Sequence, residues 1–207
     1  DLAIDELLRM HELAEQMLDL ARPREPGASR CAPVLVAREV ARLASVGLSP
    51  ESAAVVVDVS GDEDVEAAIA PDALKQVLVN LVQNSRDAST SDEQAAIGIV
   101  IRDRGTHVSV DVMDNGPGIS PDILNRVFDP FFTTKGAVHG VGLGLFVAEG
   151  LVRSAGGSIA ARNGGRAPGM PYGGAWFHIE LPVPNADALR DSSDRPASVR
   201  VTSDARD

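Results

Sequence analysis

At 207 residues and 44% hydrophobic content the chain is long enough to bury one core with a short appendage beside it. A formal net charge of -11 with no Lys/Arg cluster argues against a nucleic-acid or anionic-membrane surface, so any phosphate ligand must be held locally. Cys31 is the only cysteine and His11, His107, His139 and His178 are scattered, which excludes a disulfide framework and a zinc site and fits a reducing, cytoplasmic compartment.

In chain order, Ala3, Leu7, Met10, Ala14, Met17 and Ala21 recur in alternating steps of four and three, a heptad seam that predicts a helix seeking a partner helix. The acidic amphipathic start is not a signal peptide, and no apolar run is long enough to cross a bilayer. Arg22-Pro23-Arg24-Glu25-Pro26-Gly27 breaks that helix and predicts a hinge, because proline cannot donate within a helix and disfavours it in the preceding residue. Residues 34–44 add a helix. Short β-branched runs at 54–59, 97–102, 108–113, 158–161 and 175–181 read as strands. Between them, residues 71–88 place Leu74, Val77, Leu78, Leu81 and Val82 on one helix face, and residues 142–155 form a second helix that packs on the sheet. The class is α+β, a two-layer α/β sandwich preceded by a coiled-coil helix. Beyond Asp187 little remains to bury, so a disordered tail is expected.

Four constellations within the central segment carry chemistry. Asn80 and Asn84, one turn apart, lie roughly 6 Å from each other along a helix and face outward as two neutral oxygen donors. Such a pair is either simply solvated or suited to Mg²⁺, which takes oxygen ligands and is completed by substrate phosphates. Asp114-Asn115-Gly116-Pro117-Gly118 ends a strand in a sharp turn, where a buried carboxylate can accept the amino hydrogens of adenine; Asp-Asn-Gly is also an ordinary turn. Phe128, Phe131 and Phe132 cluster just before Thr133-Thr134-Lys135-Gly136, which predicts a lid anchored by aromatics with an ammonium near a terminal phosphate. Gly140-Val141-Gly142-Leu143-Gly144-Leu145 opens a helix and is a phosphate cradle in principle, although close helix–sheet packing explains the same glycines. It has neither the Gly-Lys-Ser/Thr of a P-loop nor the third glycine of a dinucleotide fingerprint.

The order and spacing of these four resemble the N box, first glycine box, F box and second glycine box of the sensor histidine kinase catalytic domain, within the ATP-binding superfamily that includes gyrase, the heat-shock chaperone ATPases and mismatch-repair ATPases. The resemblance implies the Bergerat-type fold, Mg-ATP beneath a lid, and domain limits of 1–22 for the end of the dimerisation helix, 23–32 for a linker, 33–183 for the catalytic domain and 184–207 for a tail. It implies that Asn84 binds magnesium with Asn80 in support, that Asp114 reads adenine, and that Gly116, Gly118 and Ile119 shape the base pocket. Gly140, Val141, Gly142, Leu143, Gly144 and Leu145 stand beside the phosphates; Asp87 and Phe131 join the nucleotide set. Thr134 and Lys135 meet phosphate, with Asn80 and Lys135 as the catalytic pair. The implied partners are the chain's own dimerisation domain, a second copy through the N-terminal helix, and a response-regulator receiver domain.

His11-Glu12 imitates the start of the family's phosphoacceptor box, but Ala14-Glu15-Gln16 replaces the polar residue and proline that should follow, so His11 reads as an ordinary helix histidine. Two other classes remain open. A gyrase-type ATPase would need a glutamate general base one turn before the metal asparagine, where this chain has Asn80. An anti-sigma-type serine kinase, or a nucleotide-responsive binding module, would keep the same boxes.

Overall fold

The computed structural model describes residues 29–46, 55–89, 95–134, 141–164 and 173–184. The N-terminal heptad helix with His11, the Arg22–Gly27 hinge, Lys135, Gly140 and the tail beyond 184 lie outside the described residues.

Among the described residues, eight regular elements form two layers. Helix α1 (Pro33–Val46) is followed by β1 (Val55–Gly61), α2 (Pro71–Ala88), β2 (Ala95–Asp103) and β3 (His107–Asp114). A short 3-10 turn (Leu124–Arg126) precedes α3 (Gly144–Ser154), β4 (Ser158–Asn163) and β5 (Ala175–Pro182). The strands form one sheet in the order β1-β2-β3-β5-β4. β1 pairs parallel to β2, and every other pairing is antiparallel. The predicted two-layer α/β sandwich is observed, and all five predicted strands form, each longer by a residue or more than its β-branched run except where the described residues stop. The second predicted helix starts at Gly144 rather than at residue 142, because Gly142 has φ +72° and cannot belong to a right-handed helix.

Alternation along the strands sorts the two faces of the sheet. Ile97, Ile99 and Ile101 of β2, Val108, Val110 and Val112 of β3, and Phe177, Ile179 and Leu181 of β5 all point to one side and are completely buried. The three helices cover that side, and α2 contributes Leu74, Val77, Leu78 and Leu81, again fully buried. Pro71 occupies the first turn of α2, where its missing N–H costs nothing. α1 is joined to the rest through α2 and β1 and by the Cys31–Ala67 bridge.

The opposite face has no helix over it among the described residues and carries a hydrogen-bonded group of polar side chains. Asp111, almost wholly buried there, accepts hydrogen bonds from Arg102 Nη1 (3.2 Å) and Trp176 Nε1 (2.8 Å) and meets His178 Nδ1 at 2.6 Å. Ser109 beside it receives Arg104 Nε at 3.3 Å. Buried polar groups on this face are therefore partnered, as burial requires.

Candidate functional site

The site lies where α2, the C-terminal end of β3, the start of β5 and the start of α3 converge. α2 carries three of its residues. Its apolar stripe faces the sheet, and the intervening positions at residues 80, 84 and 85 are left to bind other parts of the fold.

Asn80 is half-buried and engaged at both ends of its amide: its Oδ1 accepts from Gln76 Nε2 at 3.1 Å and its Nδ2 donates to the carbonyl of Gly144 at 3.0 Å. The expectation of two outward-facing free amides is therefore corrected for Asn80, whose side chain joins α2 to the first residue of α3. The reason is tertiary, since α3 packs along α2 and brings the carbonyl of its first residue within reach of the Asn80 amide. Asn84, about 40° around the helix and one turn further on, is also half-buried and has no side-chain hydrogen bond among the described residues. Ser85, a residue that sequence reasoning missed, points the other way and donates to Asp114 Oδ2 at 2.9 Å.

Asp114 is the most deeply set carboxylate of the site, 2% exposed. Its Oδ1 accepts from the backbone N–H of Gly116 (3.0 Å) and of Ala175 (2.8 Å), while Oδ2 takes the Ser85 hydroxyl and keeps one acceptor direction in reserve. Burial pushes its pKa above the ordinary carboxylate value, and the three hydrogen bonds oppose that shift without cancelling it. The start of β5 closes in from the far side. A Cβ at Gly174 would lie 2.1 Å from Asp114 Oδ1 and 2.6 Å from the N of Gly116, so only glycine allows the two backbone segments to converge on the carboxylate. Gly174 was also missed: it sits in a run of glycines whose individual demands become visible only in three dimensions.

The turn after Asp114 is tied on both flanks. Asn115 Oδ1 accepts from Ala96 N at 2.9 Å, its N–H donates to Ala96 O at 3.1 Å, and Asn163 at the end of β4 bonds the backbone of Ile119. Ile119 packs its side chain against the core, and Gly118 takes φ +79°.

The aromatic segment is only partly as expected. Phe128 is the anchor, half-buried and edge-on to core Phe177 with ring centroids 6.5 Å apart. Phe132 lies under the guanidinium of Arg126, 4.7 Å from its ring centre. Phe131 is 63% exposed with φ +64°, so it does not anchor the segment; the chain turns outward there because the carbonyls behind it pack on Gly142. A Cβ on Gly142 would lie 2.5 Å from Phe132 O and 2.7 Å from Phe131 C, which makes this glycine the seat of the aromatic segment. Gly144, by contrast, has ordinary room, with Asn80 atoms 3.8 Å from a Cβ there. Leu143 is buried and Leu145 packs on the core, so neither offers a phosphate more than its backbone; Val141 and Thr134 are exposed. Asp87 is exposed and accepts from Gln83 at 3.0 Å.

Fold and site together define an ATPase-type α/β sandwich. The chain belongs to the histidine kinase-, DNA gyrase B- and HSP90-like ATPase family, whose model matches residues 69–185. Over 118 residues, 54% of this chain and 12% of its relative, it is 42% identical to the two-component sensor PprA of Pseudomonas aeruginosa. It is 30% identical over 185 residues to the signal transduction histidine-protein kinase AfsQ2 of Streptomyces coelicolor, covering 87% of this chain and 32% of that protein. The chain thus spans only a minor part of these relatives. Among solved structures it resembles the nucleotide-free catalytic domain of histidine kinase ThkA (TM-score 0.60, 30% identity, 75% of this chain and 95% of that one). It also resembles ThkA in complex with the response regulator TrrA (TM-score 0.66, 27% identity, 87% and 49%). The family read from the order of the four motifs is the one observed.

Proposed function

We propose that this chain is the part of a sensor histidine kinase that binds Mg-ATP and presents its γ-phosphoryl to a histidine of a dimerisation domain, for relay to a response-regulator aspartate. One observation carries the reading. α2 is tied at Asn80 to the second glycine motif and at Ser85 to the carboxylate before the first, and Asn84, between these ties, has an unengaged amide.

Asp114 Oδ2 accepts from the exocyclic amine of adenine while Ser85, Gly116 and Ala175 hold the carboxylate still. Gly116, Gly118 and Ile119 form the wall beside the base. The oxygen of Asn84 suits a hard divalent cation, and Asn80 supports it from an already fixed amide. Magnesium, when bound there, would supply charge neutralisation at the phosphates. Backbone N–H groups of Val141 to Leu145, in the approach to α3 and its first turn, would meet the phosphates, with Gly140, Thr134 and Lys135 completing that end. The chain's contribution is positioning, with the nucleophile supplied by an imidazole elsewhere. The division into 1–22, 23–32, 33–183 and 184–207, dimerisation through the first of these, swinging about the hinge, and a cytoplasmic setting belong to the same reading.

ATP hydrolysis as the main activity is disfavoured. An amide at Asn80 has no proton affinity of use near neutral pH, and both its ends are engaged.

Titration with Mg-ATP, followed by incubation with labelled ATP, tests the proposal. The chain should bind nucleotide but take no label itself, and a polypeptide carrying an acceptor helix should become labelled in trans. An acid-labile, base-stable label on the chain, lost in His11→Gln, would make His11 the acceptor. An acid-resistant label would support the serine-kinase reading.

A further inference from the structure

Asn163 ends the edge strand β4, 44 residues from the turn it touches. Its Oδ1 accepts from Ile119 N at 2.7 Å and its Nδ2 donates to Ile119 O at 2.7 Å. One side-chain amide thus satisfies both backbone groups of one residue, as a neighbouring strand would. The partners also fix its orientation, since the N–H must meet oxygen and the carbonyl must meet NH₂. Gly118 comes close enough that a Cβ there would lie 2.9 Å from Asn163 Oδ1.

We propose that Asn163 is a positioning residue for the nucleobase end of the site. The turn from Gly116 to Ile119 has two supports: Asn115 ties its first half to Ala96 of β2, and Asn163 ties its last residue to β4. Gly116 N–H is one of the donors that hold the Asp114 carboxylate, so its place depends on both supports. Without Asn163 the last residue of the turn loses its hydrogen bonds to β4 and is held only by the packing of the Ile119 side chain. Aspartate keeps the acceptor but sets a carboxylate against the Ile119 carbonyl, and alanine keeps neither contact. Because Asn163 is exposed at the end of an edge strand, its loss removes little packing. This inference rests on the proposed nucleotide site.

The test is calorimetric titration of the full chain with Mg-bound, non-hydrolysable ATP analogue and with ADP, alongside melting curves and amide exchange at Ile119. Asn163→Ala, which loses both hydrogen bonds, should weaken binding roughly tenfold, and Asn163→Asp, which loses one and sets a carboxylate against the Ile119 carbonyl, by a similar factor. The factor should be the same for both nucleotides, which share the base. Melting should hardly move, and Ile119 exchange should accelerate while β3 amides stay protected. Should Asn163→Ala fail to fold, the isosteric Asn163→Asp decides alone. Wild-type affinity in the variant, or a loss that merely follows the melting temperature, would overturn the positioning role. A wild-type chain that binds neither nucleotide would overturn the nucleotide site and this role together, whereas a binding wild type with an unaffected variant overturns this role alone.

Discussion

Replacing Asp114 by asparagine separates what the carboxylate does for a ligand from what it does to the fold. In the wild type, Oδ1 accepts from Gly116 and Ala175 and Oδ2 from Ser85, and an amide oxygen can keep the first two. The Ser85 hydroxyl can rotate to accept from the new NH₂ and turn its own O–H to the carbonyl one helical turn back, so the buried groups can be re-paired. Burial raises the Asp114 pKa above its ordinary 3.8, so the folded chain holds this proton more tightly than the unfolded one. Its contribution to stability is therefore full below the ordinary value and is lost as pH rises through the folded value. Asp114→Asn removes that loss, and at neutral pH it should melt no lower than the wild type. Binding should move the opposite way. Exchanging a charged acceptor for a donor that faces an exocyclic amine forfeits about 2–3 kcal/mol, or roughly 30- to 150-fold in ATP affinity. The preference over GTP should fall with it, because the amine that distinguishes the bases is the group no longer met. Calorimetry with ATP and GTP analogues and melts from acid to neutral pH read all three. A destabilised variant, or equal losses for ATP and GTP, would refute the reasoning.

Three further substitutions probe the other parts. Asn84→Ala should abolish magnesium-dependent nucleotide binding while melting stays near wild type, since the side chain has no hydrogen bond among the described residues; unchanged affinity and metal dependence on titration would remove it from the site. Gly142→Ala meets backbone at 2.5 Å with φ +72° and should cost about 1–3 kcal/mol, seen as a lowered denaturation midpoint together with weaker nucleotide binding. Leu78→Ala, at a fully buried position of α2, should lower stability by about 2–5 kcal/mol in chemical denaturation.

α2 was legible to the residue because its apolar spacing and Pro71 both act locally. The strands were legible because β-branched runs alternate with breakers, and their ends were not, because ladder pairing carries each strand beyond its most apolar part. Asp114 and the glycine motifs could be found from order and spacing. Ser85, Asn163 and Gly174 could not, since their roles arise from segments brought together across 29, 44 and 60 or so residues of chain. Asn80 shows the same limit from the other side. Helix geometry gives its direction but not the α3 carbonyl waiting there.

The two ties on α2 make that helix a ruler for the site. Asn80 and Ser85 are five residues apart, about 7.5 Å along the axis and about 140° around it. That separation fixes how far the grip on the first carbonyl of α3 stands from the grip on the Asp114 carboxylate. A ruler of this kind is graduated in whole residues. Inserting or deleting one residue between the ties would turn one end by about 100° relative to the other, so the distance between the Gly144 carbonyl and the Asp114 carboxylate has no neighbouring setting to drift into. Substitutions can soften either grip, but only a change in residue count can alter the gauge.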